Sequence, residues 1–138
     1  MIVLSTDPGE TTGYVVISCG DTIESFTIIE HGVLSLWRGA DRLMDMHKPD
    51  AVVCEQFRLY PIAAASQSYS TMIAPRVTGV LAYMCELRGI PFVEQSASVG
   101  KSARLPERIY APARQFKTVH EKDALRHAAA YVWSRGIR

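Results

Sequence analysis

The sequence predicts an α/β fold with elements in the order β-β-β-α-β-α-β-α, and three observations carry that reading. The N-terminal segment holds three β-rich runs separated by turn chemistry. Beyond them, apolar residues recur at three- and four-residue spacing in three long stretches, as helices require. Short apolar runs without that spacing lie between these stretches.

Taken in order, Ile2–Thr6 and Gly13–Ser18 flank the turn-like Asp7-Pro8-Gly9-Glu10-Thr11-Thr12. Cys19-Gly20-Asp21-Thr22 then leads into Ile23–Ile29, so three antiparallel strands form a meander. Leu36–His47 spaces Leu36, Trp37, Leu43, Met44 and His47 helically, and Lys48-Pro49-Asp50 ends the helix before the strand Ala51–Glu55. A helix in that place permits a parallel crossover. Gln56–Tyr69, with its aromatics, one Arg and a Pro, is too irregular to assign. From Ser70 or Thr71 to Arg88, the spacing of Ile73, Val77, Val80, Leu81, Met84 and Leu87 predicts a helix capped by Gly89. Pro75 places its regular start near Ala74. Ile90–Glu94 reads as a short buried strand, and the basic stretch Lys101–Lys117 as a loop. Thr118-Val119-His120-Glu121 has capping-box spacing and opens a helix to about Ser134, stopped by Gly136. No repeat or linker interrupts the chain, so residues 1–138 read as a single domain.

A chain of 138 residues that is 48% hydrophobic can bury a core. Its formal net charge of +1 conceals an asymmetry: residues 1–50 hold three Lys/Arg against eight Asp/Glu, and residues 51–138 hold twelve against six. A polyanion would therefore bind the second half. Lys101, Arg104, Arg108, Arg114 and Lys117, opposed only by Glu107, are the strongest candidates, the plainer alternative being a solvated surface. Cys19, Cys54 and Cys85 show no metal-ligand spacing and read as reduced thiols. No run approaches the roughly 18–20 apolar residues of a membrane span, and the N-terminus enters a strand with no signal-like segment before it. These features predict a soluble, cytoplasmic protein with no membrane partner.

Asp7 ends the first apolar run, Glu55 ends that of Ala51–Glu55, and His120 and Asp123 open the last helix. Carboxylates at the ends of neighbouring strands, facing a helix, can bind hard cations through oxygen. Two-metal phosphodiester hydrolysis needs acids holding two cations about 3.5–4 Å apart. Asp7 is the candidate bridge, Glu55 its strand partner and Asp123 its helix partner. At about 100° per residue, His120 and Asp123 share a helix face, and His120 is suited to ligate a metal or move a proton. His127 lies between them in angle, one turn on, and reads as a packed core histidine; Glu121 reads as the cap. Any one of these acids alone is more often a turn or cap residue, and their joint order is what points to a nuclease.

The motifs Asp7-Pro8-Gly9 with Thr12-Gly13, Glu55-Gln56, Arg76 and Gly79, and His120-x-x-Asp123-Ala124-Leu125 resemble the RuvC-like Holliday junction resolvases of the ribonuclease H-like superfamily, especially compact phage versions. With the element order they span almost the whole chain. The resemblance implies a five-stranded mixed sheet flanked by helices, a homodimer, two Mg²⁺ or Mn²⁺ ions per active site, and paired cuts in four-way junction DNA. It assigns the acidic centre to Asp7, Glu55 and Asp123, with His120 where members carry Asp or His. It also implies a dimer contact on the helix around Met72–Glu86, notably Val77, Leu81 and Met84, and a host-cytoplasmic location if phage-encoded. Members often carry an aromatic wedge three residues after the Glu; here Leu59 holds that place, flanked by Phe57 and Tyr60. Phe57, Arg58, Tyr60 and Arg76 therefore join the basic residues as candidate DNA contacts. The Pro-Ser usual after the last strand is replaced by Ser96-Ala97-Ser98-Val99-Gly100-Lys101.

Two other enzyme readings start from the same residues. An Asp-x-Gly turn also cradles phosphate in actin-like ATPases, but those need two such folds. A ribonuclease H-like nuclease acting on flaps or RNA would share the acidic centre. From another class, a catalytically silent junction-binding module would keep the fold; against it, carboxylates crowded without metal repel one another.

Overall fold

The first strand, β1 (Ile2–Asp7), is the centre of the molecule. In a computed structural model, which describes residues 1–58 and 72–137, it pairs antiparallel with β2 (Gly13–Ser18) and parallel with β4 (Ala51–Glu55). β3 (Thr27–Val33) pairs antiparallel with β2, and β5 (Phe92–Gln95) parallel with β4, giving a five-stranded mixed sheet in the order β3-β2-β1-β4-β5. Among the described residues five α-helices complete the order: α1 (Leu36–His47), α2 (Ile73–Arg88), α3 (Ala97–Ser102), α4 (Glu107–Ala113) and α5 (Val119–Ser134).

Strand periodicity divides the core into two layers. Val3, Val15, Ile17 and Val53 face Ala124, Leu125, Ala128 and Val132 of α5, with Ile109 and Ala113 of α4 beside them. Leu4, Val16, Val52 and Cys54 point the other way, onto Ala40, Leu43 and Met44 of α1 and Val77, Leu81 and Cys85 of α2. Odd-numbered residues of β1 and β4 thus face α5, and Asp7 and Glu55 continue that series. The three cysteines are free and buried.

Four local expectations are corrected. The third strand begins at Thr27, because Ser25 Oγ donates to the Thr22 carbonyl at 2.6 Å and accepts from the Gly20 amide at 2.6 Å, holding Ile23–Ser25 in a 3-10 turn. The fifth runs Phe92–Gln95 and is only half-buried, since it is an edge strand entered through Pro91. The basic stretch is no loop: α3 and α4 occupy much of it, α4 being held down by buried Ile109 and Ala113. Val77 and Leu81 are buried within the chain, 8% and 1% exposed, so they are not free for a partner. The predicted helix at Leu36–His47 matches α1, and Gly89 caps α2 at φ +64°. Tyr60 and Leu59 lie outside the described residues.

Candidate active site

Two side-by-side strand ends build the site. The parallel register of β1 and β4 runs through Thr6 and Cys54, so Asp7 and Glu55 follow as neighbours at the carboxyl edge, and Gln95 stands opposite Glu55 on β5. Ligands of α/β sheets gather at such carboxyl edges. Above them lies the start of α5, closed by the predicted capping box: Thr118 Oγ1 accepts the Glu121 amide at 3.1 Å and Glu121 Oε2 accepts the Thr118 amide at 2.8 Å. Gly13 lets β2 touch this turn, for an ideal Cβ there would stand 2.3 Å from the His120 carbonyl carbon.

Of the predicted centre, Asp7 and His120 are in contact, and Glu55 and Asp123 are near enough for their charges to act on Asp7. His120 Nδ1 lies 2.6 Å from Asp7 Oδ2. Burial raises the Asp7 carboxyl above its ordinary range; the His120 hydrogen bond opposes this, while the charges of Glu55 and Asp123 add to it. Asp123, half-buried on the same helix face, accepts from Arg126 at 2.7 Å. Glu55 Oε2 meets His127 Nε2 at 2.8 Å, so His127 is the buried histidine that was expected and also a partner of the acidic centre. Sequence spacing put His127 on the right face but gave no sign of a contact 72 residues away.

A cleft lined by Asp7, Pro8, Glu55, Gln56, Phe57, Arg58 and Ser96–Ser98 opens beside this centre. Phe57 is half-buried there and Arg58 is exposed. Arg76 is exposed at a separate apolar cavity bordered by Gly9, Thr12, Leu34, Val77 and Val80. Lys101, Arg104, Arg108, Arg114 and Lys117 are all exposed; Arg114 pairs with Glu107 at 2.5 Å, and the other four form no ion pair among the described residues.

Among the described residues no three His, Cys, Asp or Glu side chains form a ready metal cluster, and each acid engages a protein partner: Asp7 with His120, Glu55 with His127, Asp123 with Arg126. The donor chemistry nevertheless fits a hard divalent cation. Burial first, then the charges of Glu55 and Asp123, raise the proton affinity of Asp7, and a cation relieves that repulsion.

No protein-family model and no curated protein matches the chain. Solved structures do. RuvC of Thermus thermophilus superposes with a TM-score of 0.66 at 18% identity, over 99% of this chain and 97% of its own. The same protein in complex with a Holliday junction substrate gives 0.70 at 18% identity, over 99% and 96%. The fowlpox virus Holliday junction resolvase gives 0.64 at 12% identity, over 98% and 99%. The shared feature at these identities is the fold, a five-stranded mixed sheet with flanking helices.

Proposed function

We propose that this protein is a Holliday junction resolvase, a metal-dependent endonuclease making paired cuts in four-way DNA junctions. The observation that carries the reading is the meeting of Asp7 and Glu55 at adjacent parallel strand ends with His120 and Asp123 of α5, in a fold shared along its length with junction resolvases.

In this reading Asp7, Glu55 and Asp123, with His120, hold two Mg²⁺ or Mn²⁺ ions. When bound, such ions supply a water ionised near neutral pH and positive charge for the phosphate oxygens. The chain's own residues do the rest. Asp7, central and desolvated, is the shared acid. His120 engages Asp7 through Nδ1 while its ring stays 38% exposed, leaving the other nitrogen to exchange a proton with solvent. Phe57 and Arg58, at the cleft beside both acids, contact the strand near the scissile phosphate. Tyr60 is a further candidate at the junction centre. Arg76, Lys101, Arg104, Arg108 and Lys117 neutralise phosphates on the arms, and Arg114 joins them if it leaves Glu107.

Two cuts on a two-fold junction require two sites related by that symmetry, so the active form is a homodimer. With Val77 and Leu81 turned inward, its contact is the outer stripe of α2. Gly79, Tyr83 and Leu87 recur there at four-residue spacing, with Tyr83 60% and Leu87 65% exposed.

The test is cleavage in Mg²⁺ of a synthetic four-way junction beside linear duplex, flap and RNA–DNA hybrid substrates. Paired cuts confined to the junction are expected. Preference for flap or hybrid would place the protein among other nucleases of this fold, and binding without cleavage would make it a silent junction binder.

A further inference from the structure

We infer that His127 is a positioning residue for Glu55, the middle of a Gln95–His127–Glu55 chain that fixes one carboxylate oxygen so that the other faces the cleft. The inference rests on the reading of Glu55 as a metal ligand.

His127 is fully buried, and both ring nitrogens are engaged: Nε2 lies 2.8 Å from Glu55 Oε2 and Nδ1 lies 2.8 Å from Gln95 Oε1. Gln95 is the register partner of Glu55 on the edge strand, so the imidazole spans two adjacent strand ends. Its third side is closed by backbone. An ideal Cβ on Gly100 of α3 would lie 2.6 Å from Nε2 and 2.9 Å from both Cδ2 and Cε1, so only glycine lets α3 pack there. The ring is therefore held by two hydrogen bonds and a helix backbone.

A residue needed only for volume at this point of α5 would be aliphatic, like Leu125 and Val132 on the same helix. A buried imidazole costs free energy unless its nitrogens are satisfied, and the partners that satisfy this one are a site carboxylate and its neighbour. Glu55 in turn lines the cleft with Asp7, and its Oε1 makes no hydrogen bond among the described residues. Partners of this kind set the orientation of metal-ligating carboxylates, and losing one typically lowers metal affinity about 10–100-fold. His127 meets no substrate itself.

The experiment is calorimetric titration of the intact protein with Mn²⁺ alone, comparing wild type, His127→Leu and His127→Gln. A glutamine amide can present its nitrogen near the place of Nε2 and keep the bond to Glu55; leucine fills the volume and cannot. The expected result is affinity lowered at least about tenfold by His127→Leu and largely recovered in His127→Gln. Equal affinity in all three, or equal weakening by both substitutions, would overturn the inference. If the leucine variant does not fold, ¹⁵N-histidine NMR of the wild type decides: adding Mg²⁺ should shift the His127 Nε2 resonance, and an unmoved resonance overturns it. Wild type that binds Mn²⁺ yet leaves four-way junctions intact would sink the resolvase reading alone. Absence of any Mn²⁺ binding by wild type would sink both.

Discussion

Asp7 holds the least comfortable charge at this edge of the sheet, and its discomfort separates stability from activity. Burial, then Glu55 and Asp123, raise its carboxyl against the opposing bond from His120, so ionisation of Asp7 costs the folded state something. An acid whose folded value is raised weakens the fold as pH climbs through that value. Asp7→Asn removes the repulsion and can still accept from His120. It should melt at or above the wild-type temperature while junction cleavage in Mg²⁺ falls roughly 10³-fold or more. Glu55→Gln and Asp123→Asn should lose cleavage alike, with junction binding kept, since phosphate contacts lie elsewhere. Thermal melts beside single-turnover cleavage check this. A variant with near-native turnover would leave the centre, and a lower melting point for Asp7→Asn would refute the repulsion. The four residues of this centre were legible because strand ends and a helix start are marked by local chemistry. His127 was half legible: periodicity gave its face, but its partners, Glu55 and Gln95, are joined to it only by the fold.

At the scale of elements, α5 is the part the sequence announced most clearly, because a capping box joins residues three apart. What fixes the helix to the sheet was not announced. Glu121 Oε1 lies 2.8 Å from His31 Nδ1 on β3, and that ring stacks on Phe116 at 4.0 Å. Gly13 belongs to a motif of the sequence, but its reason is tertiary: β2 packs directly against the His120 carbonyl. Gly13→Ala should therefore destabilise by roughly 1–3 kcal/mol and reduce cleavage further by displacing His120. Unchanged urea midpoint and turnover would show that the contact yields freely. The same dependence on distant partners hid α4, whose apolar signal is little more than Ile109 and Ala113 among charges. A second tie joins the meander to α1, where Glu30 accepts from Tyr14 Oη, Arg42 and His47. Burial raises the Glu30 carboxyl, but these hydrogen bonds outweigh it and bring it to about 2, from an ordinary 4.5. Its contribution is thus complete above pH 4.5 and lost as pH falls through about 2. Glu30→Gln should cost roughly 2 kcal/mol at neutral pH, discounted for partial exposure, and the difference in denaturation midpoint should vanish in acid. A pH-independent difference would assign the loss to packing.

For the whole molecule, connection types in the sequence foretold a mixed sheet, and the order β3-β2-β1-β4-β5 makes Asp7 central with Glu55 beside it. The helix proposed to face a second copy was legible as an element, but its inner and outer stripes were not told apart. Periodicity marks the buried stripe Val77-Leu81 most strongly, and that stripe serves the chain's own core. Tyr83→Glu with Leu87→Glu should hence leave the fold intact and yield a monomer by light scattering at micromolar concentration, with single nicks replacing paired cuts. A dimer that survives both changes would move the contact elsewhere. The charge asymmetry has a similar history: its position in the sequence was plain, and its distribution over α3, α4 and their connections was not. Arg104 and Arg108 are exposed and form no ion pair among the described residues, unlike Arg114, although the charge of Arg108 bears on Glu24. If both neutralise junction phosphates, each releases condensed counterions, and the slope of log affinity against log salt is about −0.9 per phosphate on duplex DNA. Arg104→Ala with Arg108→Ala should then flatten the slope by roughly two units, weakening junctions of different sequence alike. An unchanged slope and affinity would make this surface solvated rather than occupied, and would shift the binding face towards Arg58 at the cleft and Arg76 across the turn from it.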